Sequence, residues 1–312
     1  MLRKIGASSQ ALGTAFLLAM APAQGAPDPC GFARAFDQPD ENGSQTVHVY
    51  QGSSSAGIGG VRPFAFVVPG VKVNTDGTRI SYNADDPRAQ TKAINDIRNA
   101  YRNPSHPIQD FEKIRDAGWQ PTSKVWDVLS SAIIEKDKRP GKQGLPCLDE
   151  KNYLVSMTAI RATASGTPGD CDQSKWIDAL TVPALVLPGA SKFQPGGASV
   201  GNVVIALSLG ERRMALGIVG DTGPAKEIGE ASVEMNRILN GLPAGSVPTN
   251  RVDAEKRFQG PKTILLVLPG ASNRISQPID ASTVNAFAEA RFNAWGGRER
   301  LEACLLEIPE AK

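Results

Sequence analysis

Histidine is nearly missing from this 312-residue chain, which has only His48 and His106. Zinc centres and histidine-dependent triads therefore have almost no raw material. Charge of one sign is also missing: 34 basic residues stand against 32 acidic ones, a net charge of +2. A nucleic-acid binder usually carries a basic patch to replace counterions, and nothing in this balance suggests one. The four cysteines, Cys30, Cys147, Cys171 and Cys304, are spaced far too widely for a CxxC metal site. Neither a metal nor a cofactor is expected. What is present is a 41% hydrophobic composition, enough to bury the core of one large domain or two modest ones. The 31 glycines and 23 prolines imply many turns and disfavour an all-α bundle.

The first residues read as a targeting segment. Arg3 and Lys4 precede the apolar stretch Ala11–Ala21, and Ala23-Gln24-Gly25 supply small residues at a cleavage position. This is the pattern of a secretory signal peptide over 1–25, with an apolar run too short to span a bilayer. Its removal takes away two basic residues and leaves 32 of each sign. No later apolar run is long enough for a membrane span, and the mature protein, 26–312, is expected as a single domain, secreted or periplasmic, acting as a monomer. An even cysteine count in an exported chain suggests two disulfides, for which three connectivities exist. The favoured one closes a short loop with Cys147–Cys171 and ties the ends with Cys30–Cys304.

Periodicity predicts a mainly β core with peripheral helices, an α+β protein. Strand candidates are 46–50, 61–68, 153–160, 184–187, 202–209, 213–219, 263–268 and a closing strand at 301–308. Gly210-Glu211 makes a hairpin turn between two of them. Asp85-Asp86-Pro87 reads as a helix start, with Ala93, Ile97 and Tyr101 on one buried face. Further helices are expected near 125–134, 231–239 and 281–292, with 103–150 as peripheral decoration. The hexapeptide Val-Leu-Pro-Gly-Ala-Ser occurs at 186–191 and 267–272, with a partial copy at 67–70. Its flanks show no wider similarity, so it reads as a recurring strand-then-turn solution rather than an internally repeated barrel.

The chemistry concentrates in 216–232, where an apolar strand runs into Gly220-Asp221-Thr222-Gly223-Pro224 and then Ile228-Gly229-Glu230-Ala231-Ser232. The glycines at 217, 220, 223 and 229 keep the surface around the acids free of side chains, which suits a bulky ligand. Two carboxylates flanking a cleft are the minimum for glycosidic hydrolysis, one protonating the leaving oxygen and the other activating water or attacking the sugar. An aspartic protease would need a second such aspartate. This chain has one Asp-Thr-Gly and no Asp-Ser-Gly.

Gly-Ile-Val-Gly-Asp-Thr-Gly-Pro followed by Ile-Gly-Glu-Ala-Ser resembles the signature of the family 75 glycoside hydrolases, the chitosanases first recognised in fungi. Residues 176–188, Asn74-Thr-Asp-Gly77 and 85–91 resemble further elements of that family, so the likeness runs discontinuously over 60–240. It implies a six-stranded double-psi β-barrel-like core, an inverting mechanism and Asp221 with Glu230 as the catalytic pair. Asp76, Asp178, Thr222 and Glu227 are the candidate substrate-binding residues, since a polycationic chitosan chain wants an acidic groove. The four tryptophans could stack on sugars, but a core role is the default for each.

The expected function is thus a secreted endo-β-1,4-glycosidase acting on chitosan. A glycosidase on another amino-sugar polymer such as peptidoglycan, and a non-catalytic glycan-binding envelope protein, are the alternatives. Within the pair, partial burial after the apolar run 215–219 would suit Asp221 as general acid. A helix N-terminus at Glu230 would favour its charge and suit it as general base, with nearby Glu227 pushing the other way.

Overall fold

The computed structural model describes residues 30–40, 43–57, 60–189, 192–225 and 227–312. The expected signal peptide at 1–25 lies outside the described residues, as do Ala190 and Ser191 of the first hexapeptide. Among the described residues the architecture is α+β and dominated by one large mixed sheet. Its strands are β1 (Ala33–Pro39), β2 (Thr46–Gln51), β3 (Phe64–Val68), β4 (Lys72–Asn74), β7 (Ala184–Pro188), β8 (Val203–Ser208), β9 (Met214–Gly223), β10 (Glu230–Ser232) and β11 (Thr263–Leu268). Two shorter strands, β5 (Tyr82–Asn83) and β6 (Tyr153–Leu154), pair apart from it. The large sheet runs β1-β2-β3-β11-β8-β9-β7-β10-β4, with parallel pairing at β7·β9 and β10·β4. Its continuous ladders leave it open. An isolated bridge links Asp40, after β1, to Ile228, before β10, drawing the two ends toward each other, and another links Val71, before β4, to Gly260, before β11.

Alternation explains how both faces are buried. Phe64, Phe66 and Val68 of β3 meet Leu265 and Val267 of β11, Val204 and Ala206 of β8, Val219 of β9, Leu185 and Leu187 of β7 and Ala231 of β10 in one core. A single core fed by one face of so many strands requires a strongly curled sheet. The intervening residues, such as Ala65, Ile264, Leu266, Val203 and Ile205, pack outward against helices α5 (Ala281–Trp295) and α6 (Gly297–Leu305). The hexapeptides end β7 and β11, and their partial copy ends β3, in keeping with a strand-then-turn role.

Several expected elements differ. The strand expected from 61 begins at Phe64, because Pro63 has no N–H to pair and its carbonyl is taken by Gly52 N at 2.8 Å. No helix follows Asp85. Instead the Asp86 carboxylate accepts the N–H groups of Gln90, Thr91, Lys92 and Ala93 at 2.6–3.2 Å, winding the chain into a loop around it. Ala93, Ile97 and Tyr101 are buried as expected, but on that loop and a 3₁₀ turn at Ile97–Ala100. The expected strand 153–160 is regular only at Tyr153–Leu154. The expected closing strand at 301–308 is largely helix α6 and its end. Leu301, Cys304, Leu305 and Ile308 are all buried at helical spacing, a period of 3.6 that a short apolar run disguises.

The segment 103–150 is more than decoration. Helices α1 (Ile108–Asp116) and α2 (Thr122–Val128), the latter ending well short of Ile134, build a second core with Tyr82, Ala84, Ile97 and Leu154. Disulfides join Cys147 to Cys171 and Cys30 to Cys304, the favoured connectivity. They fit an oxidising compartment. Among the described residues no helix is long and apolar enough to cross a membrane.

Candidate active site

Strand register places the two signature acids. Leu185 pairs with Val219, but the next residue, Val186, pairs with Asp221, so Gly220 is the extra residue of a bulge in β9. A Cβ at Gly220 would lie 2.5 Å from Ile177 Cδ1 and 2.6 Å from Ala184 Cβ, so the bulge fits here only without a side chain. On the other side of β7, Val186 pairs with Glu230 of β10. Residues paired in register point to the same face, so Asp221 and Glu230 flank Val186 on one side of the sheet. Two strand spacings put their backbones about 9–10 Å apart. Glu230 Oε2 reaches to 4.0 Å from where a Cβ at Gly223 would stand. Lys72 of β4 lies opposite Glu230 on its far side.

The glycines divide by purpose. Gly217 and Gly220 give way to protein atoms, Gly217 to the Pro183 carbonyl at 2.3 Å from a built Cβ. Gly229 has φ +114° and packs on Val68. Gly223 is the one of the four that lies beside an acid, and a Cβ there would also meet Val186 Cγ1 at 3.0 Å, so the expectation of a ligand-facing glycine surface narrows at most to that residue.

Asp221 is held by two amides: Ala159 N and Thr222 N both donate to its Oδ1 at 2.8 Å. Burial, reinforced by the negative charge of Asp76, pushes its carboxyl up to about 7 against those donors. Asp76 lines the same narrow cleft, with Asn74, Thr158, Ile177 and Gly220. Its N–H donates to Asn74 Oδ1 at 2.9 Å, and its Oδ1 accepts from Ser156 Oγ at 2.9 Å. Burial raises Asp76 to about 6, while hydrogen bonds from Tyr82 and Ser156 pull the other way. The segment around 156–159 therefore supplies donors to both aspartates.

The Asp76-Gly77 turn is clamped. Gln173 Nε2 donates to the carbonyls of Gly77 and Ser156 at 2.7 Å, and Ser156 N donates back to Gln173 Oε1 at 2.9 Å. Gly77 has φ +89°, and a built Cβ would stand 2.0 Å from the Ile177 carbonyl. Replacing Gly77 with Ala is expected to cost about 1–3 kcal/mol from the backbone conformation alone, with the clash adding to it. The denaturation midpoint should fall and turnover should fall with it as Asp76 moves. A Gly77→Ala protein with the parent's midpoint would overturn this account of the turn.

The remaining candidates are placed as follows. Asp178 is half-buried between the cleft-lining Ile177 and Ala179, and burial raises its carboxyl against donors from Leu180 N and the Thr78 hydroxyl. Thr222 pairs with Leu187, a residue of the inner core, so its exposed side chain points away from the acids and its amide alone serves Asp221. Glu227 sits in the loop between β9 and β10, half-buried. Glu230 is not at a helix start: it lies in β10, and helix α3 (Val233–Asn240) is capped by Ser232, whose Oγ accepts Met235 N. The expected help from a helix N-terminus therefore falls to Glu234, which pairs with Arg237. Asn74 belongs to the quoted Asn74-Thr-Asp-Gly77 element, whereas Lys72, Tyr82, Ser156 and Gln173 belong to the site and escaped the sequence reading, because no motif ties them to the Asp221–Glu230 block. Of the tryptophans, Trp295 is buried with Nε1 donating to the Ala56 carbonyl, and Trp126 donates to that of Gly144.

Asp137, Cys147 and Cys171 come close together, but both cysteine sulfurs are spent in their disulfide, leaving one carboxylate. A scan against protein-family models finds no match for the chain, and a search of curated proteins finds none.

Proposed function

We propose that the chain is an endo-acting β-1,4-glycosidase of amino-sugar polymers, with chitosan as substrate and inversion at the anomeric carbon. One observation carries this reading: Asp221 and Glu230 stand on the same face with one strand between them, Asp221 beside a second carboxylate and Glu230 with a lysine paired opposite. Asp221 is half-buried beside a second carboxylate, which suits a proton donor to the leaving oxygen. Glu230, with Lys72 paired opposite it in β4, is the group placed to take a proton from the attacking water. In the proposed step the glycosidic C–O bond breaks as Asp221 protonates its oxygen. Water attacks the opposite face of the sugar and passes its proton to Glu230, giving the inverted hemiacetal. Inverting pairs keep about 6.5–9.5 Å between carboxyl groups, and a two-strand separation accommodates that.

Among the described residues, none of those lining the hollow around Asp76 and Asp221 is Lys or Arg, in keeping with a cationic sugar. Export is part of the same proposal and is supported by the two disulfides. So is the double-psi barrel, in whose favour the curled core and the end-linking bridge from Asp40 to Ile228 speak.

The test is reducing-end release from chitosan, chitin and purified peptidoglycan, with the first-formed anomer followed by proton NMR. Release from chitosan with the inverted anomer appearing first is expected. Clearing of peptidoglycan without chitosan cleavage would move the substrate, and binding without turnover on every polymer would sink the enzyme reading.

A further inference from the structure

We infer that Asp76 is a positioning residue that keeps Asp221 protonated, and that Tyr82, aligned by Asn95, holds Asp76 as the anion for that task. The inference rests on reading Asp221 as the general acid.

The argument begins with donors. Tyr82 is 1% exposed, and its hydroxyl donates to the Asp76 carboxylate. Asn95 Nδ2 donates to the same phenol oxygen at 3.0 Å, so the oxygen's acceptor role is used and its own proton is directed at Asp76. Ser156 Oγ adds a second hydroxyl. Hydroxyl donors on a buried carboxylate favour its charged form. At Asp221 both amides land on Oδ1. A proton on Oδ2 therefore leaves both amides with their acceptor, so the protonated acid keeps its hydrogen bonds.

The surroundings leave little else to set the balance. From β9 Asp76 meets the charge of Asp221, and from the loop after Trp176 it has Asp178, bonded to the neighbouring Thr78. The charge of Glu230 of β10 acts on the Tyr82 phenol, and Lys72 of β4 pairs in register opposite Glu230. Arg79, three residues on, pairs outward with Asp149 at 2.8 Å. Two carboxylates sharing one narrow cleft resist ionising together, so the first to lose its proton holds the other's in place. The hydroxyl donors make Asp76 the first, in the same order as its value of about 6 against about 7 for Asp221.

Tyr82 belongs to the second core, built with α1 and α2. The segment 103–150 thus reaches the catalytic cleft through one phenol.

The experiment uses the whole protein with carboxyl-¹³C aspartate. Asp76→Asn should lower the pH at which Asp221 titrates by about one unit or more. It should move the basic limb of kcat/KM down by the same amount, about a tenfold loss on that limb, with KM unchanged. Tyr82→Phe should raise the lower of the pair's two apparent values, and it serves as the second variant where Asp76→Asn fails to fold. An Asp221 titration that does not move in Asp76→Asn, or a pair that titrates as in the parent in Tyr82→Phe, overturns the inference. The NMR titration needs no substrate. A pair that behaves as described in a protein that cleaves no glycan leaves the coupling standing and removes the glycosidase reading instead.

Discussion

Asp221→Asn should lower kcat on chitosan by about 10²–10⁴, the range that general acid catalysis supplies. The amide can accept the same two backbone N–H groups on its oxygen, so the strand and its bulge should survive. It has no acidic proton to give, so bond cleavage then depends on how good the leaving group already is. A chitooligosaccharide with an activated aryl leaving group should therefore restore much of the rate to Asp221→Ala. Glu230→Ala should lose a similar factor and respond differently. Azide, which needs no base, should enter the space the carboxylate vacates and give a glycosyl azide of inverted configuration. The parent enzyme should lose kcat/KM as pH rises through about 7, where Asp221 gives up its proton, while Asp221→Asn should lose that limb altogether. Azide rescue of Asp221→Ala with leaving-group rescue of Glu230→Ala would exchange the two roles. Full activity in either alanine variant would remove the pair from the chemistry.

The roles are assigned on grounds different from those legible in the sequence. The apolar run before Asp221 suggested partial burial, and the continuously buried stretch 217–220 ends at a half-buried Asp221 whose carboxyl is raised. The argument for Glu230 as an anion rested on a helix beginning at that residue. Ser232 is the better N-cap, because its hydroxyl can take Met235 N, and it ends a strand that extends back to Glu230. What stands beside Glu230 instead is Lys72, more than 150 residues earlier in the chain, and no local pattern reveals a cross-strand neighbour at that distance.

The same physical division runs through the whole fold. Strands β8, β9 and β11 were readable because β-branched and aliphatic residues stand in compact runs with turns between them. The loop around Asp86 was not, because Asp-Asp-Pro and three residues at helical spacing satisfy every helix-start rule. The carboxylate captured four amides of a loop instead of capping a helix, and that choice is made by the packing of Ala93 and Ile97. The candidate site shows the sharpest contrast. Asp221 and Glu230 are nine residues apart and carried by one motif, whereas Asp76 with Tyr82, and Ser156, arrive from two distant segments, and only the folded chain shows Tyr82 and Ser156 on Asp76.

The covalent tie between the chain's ends should be the largest single contributor to stability. Cys30–Cys304 closes a loop of sequence separation 274. In the chain-entropy account such a loop withholds about 5–6 kcal/mol of freedom from the unfolded state, and native disulfides deliver about 2–5 kcal/mol. The surroundings reinforce the tie: the Glu307 carboxylate accepts the N–H groups of Cys30 and Phe32 at 2.7 Å, and the Tyr50 hydroxyl donates to Glu310. The double variant Cys30→Ser/Cys304→Ser should therefore melt about 5–15 °C below the parent. Its turnover below the melting transition should be nearly unchanged. Cys30 precedes β1, and the opposite end of that strand, Asp40, is the part that approaches Ile228 beside the acids. Ten residues of extended chain separate the two ends by about 30 Å. Cys147–Cys171, with a separation of 24, should contribute about 3–4 kcal/mol by the same account. Its loss should also reduce activity, because Cys171 lies two residues from the Gln173 that clamps the Asp76 turn. Scanning calorimetry and turnover on the two serine pairs separate these outcomes. Equal losses of activity in both would mean that the disulfides act through the fold as a whole rather than through their places in it.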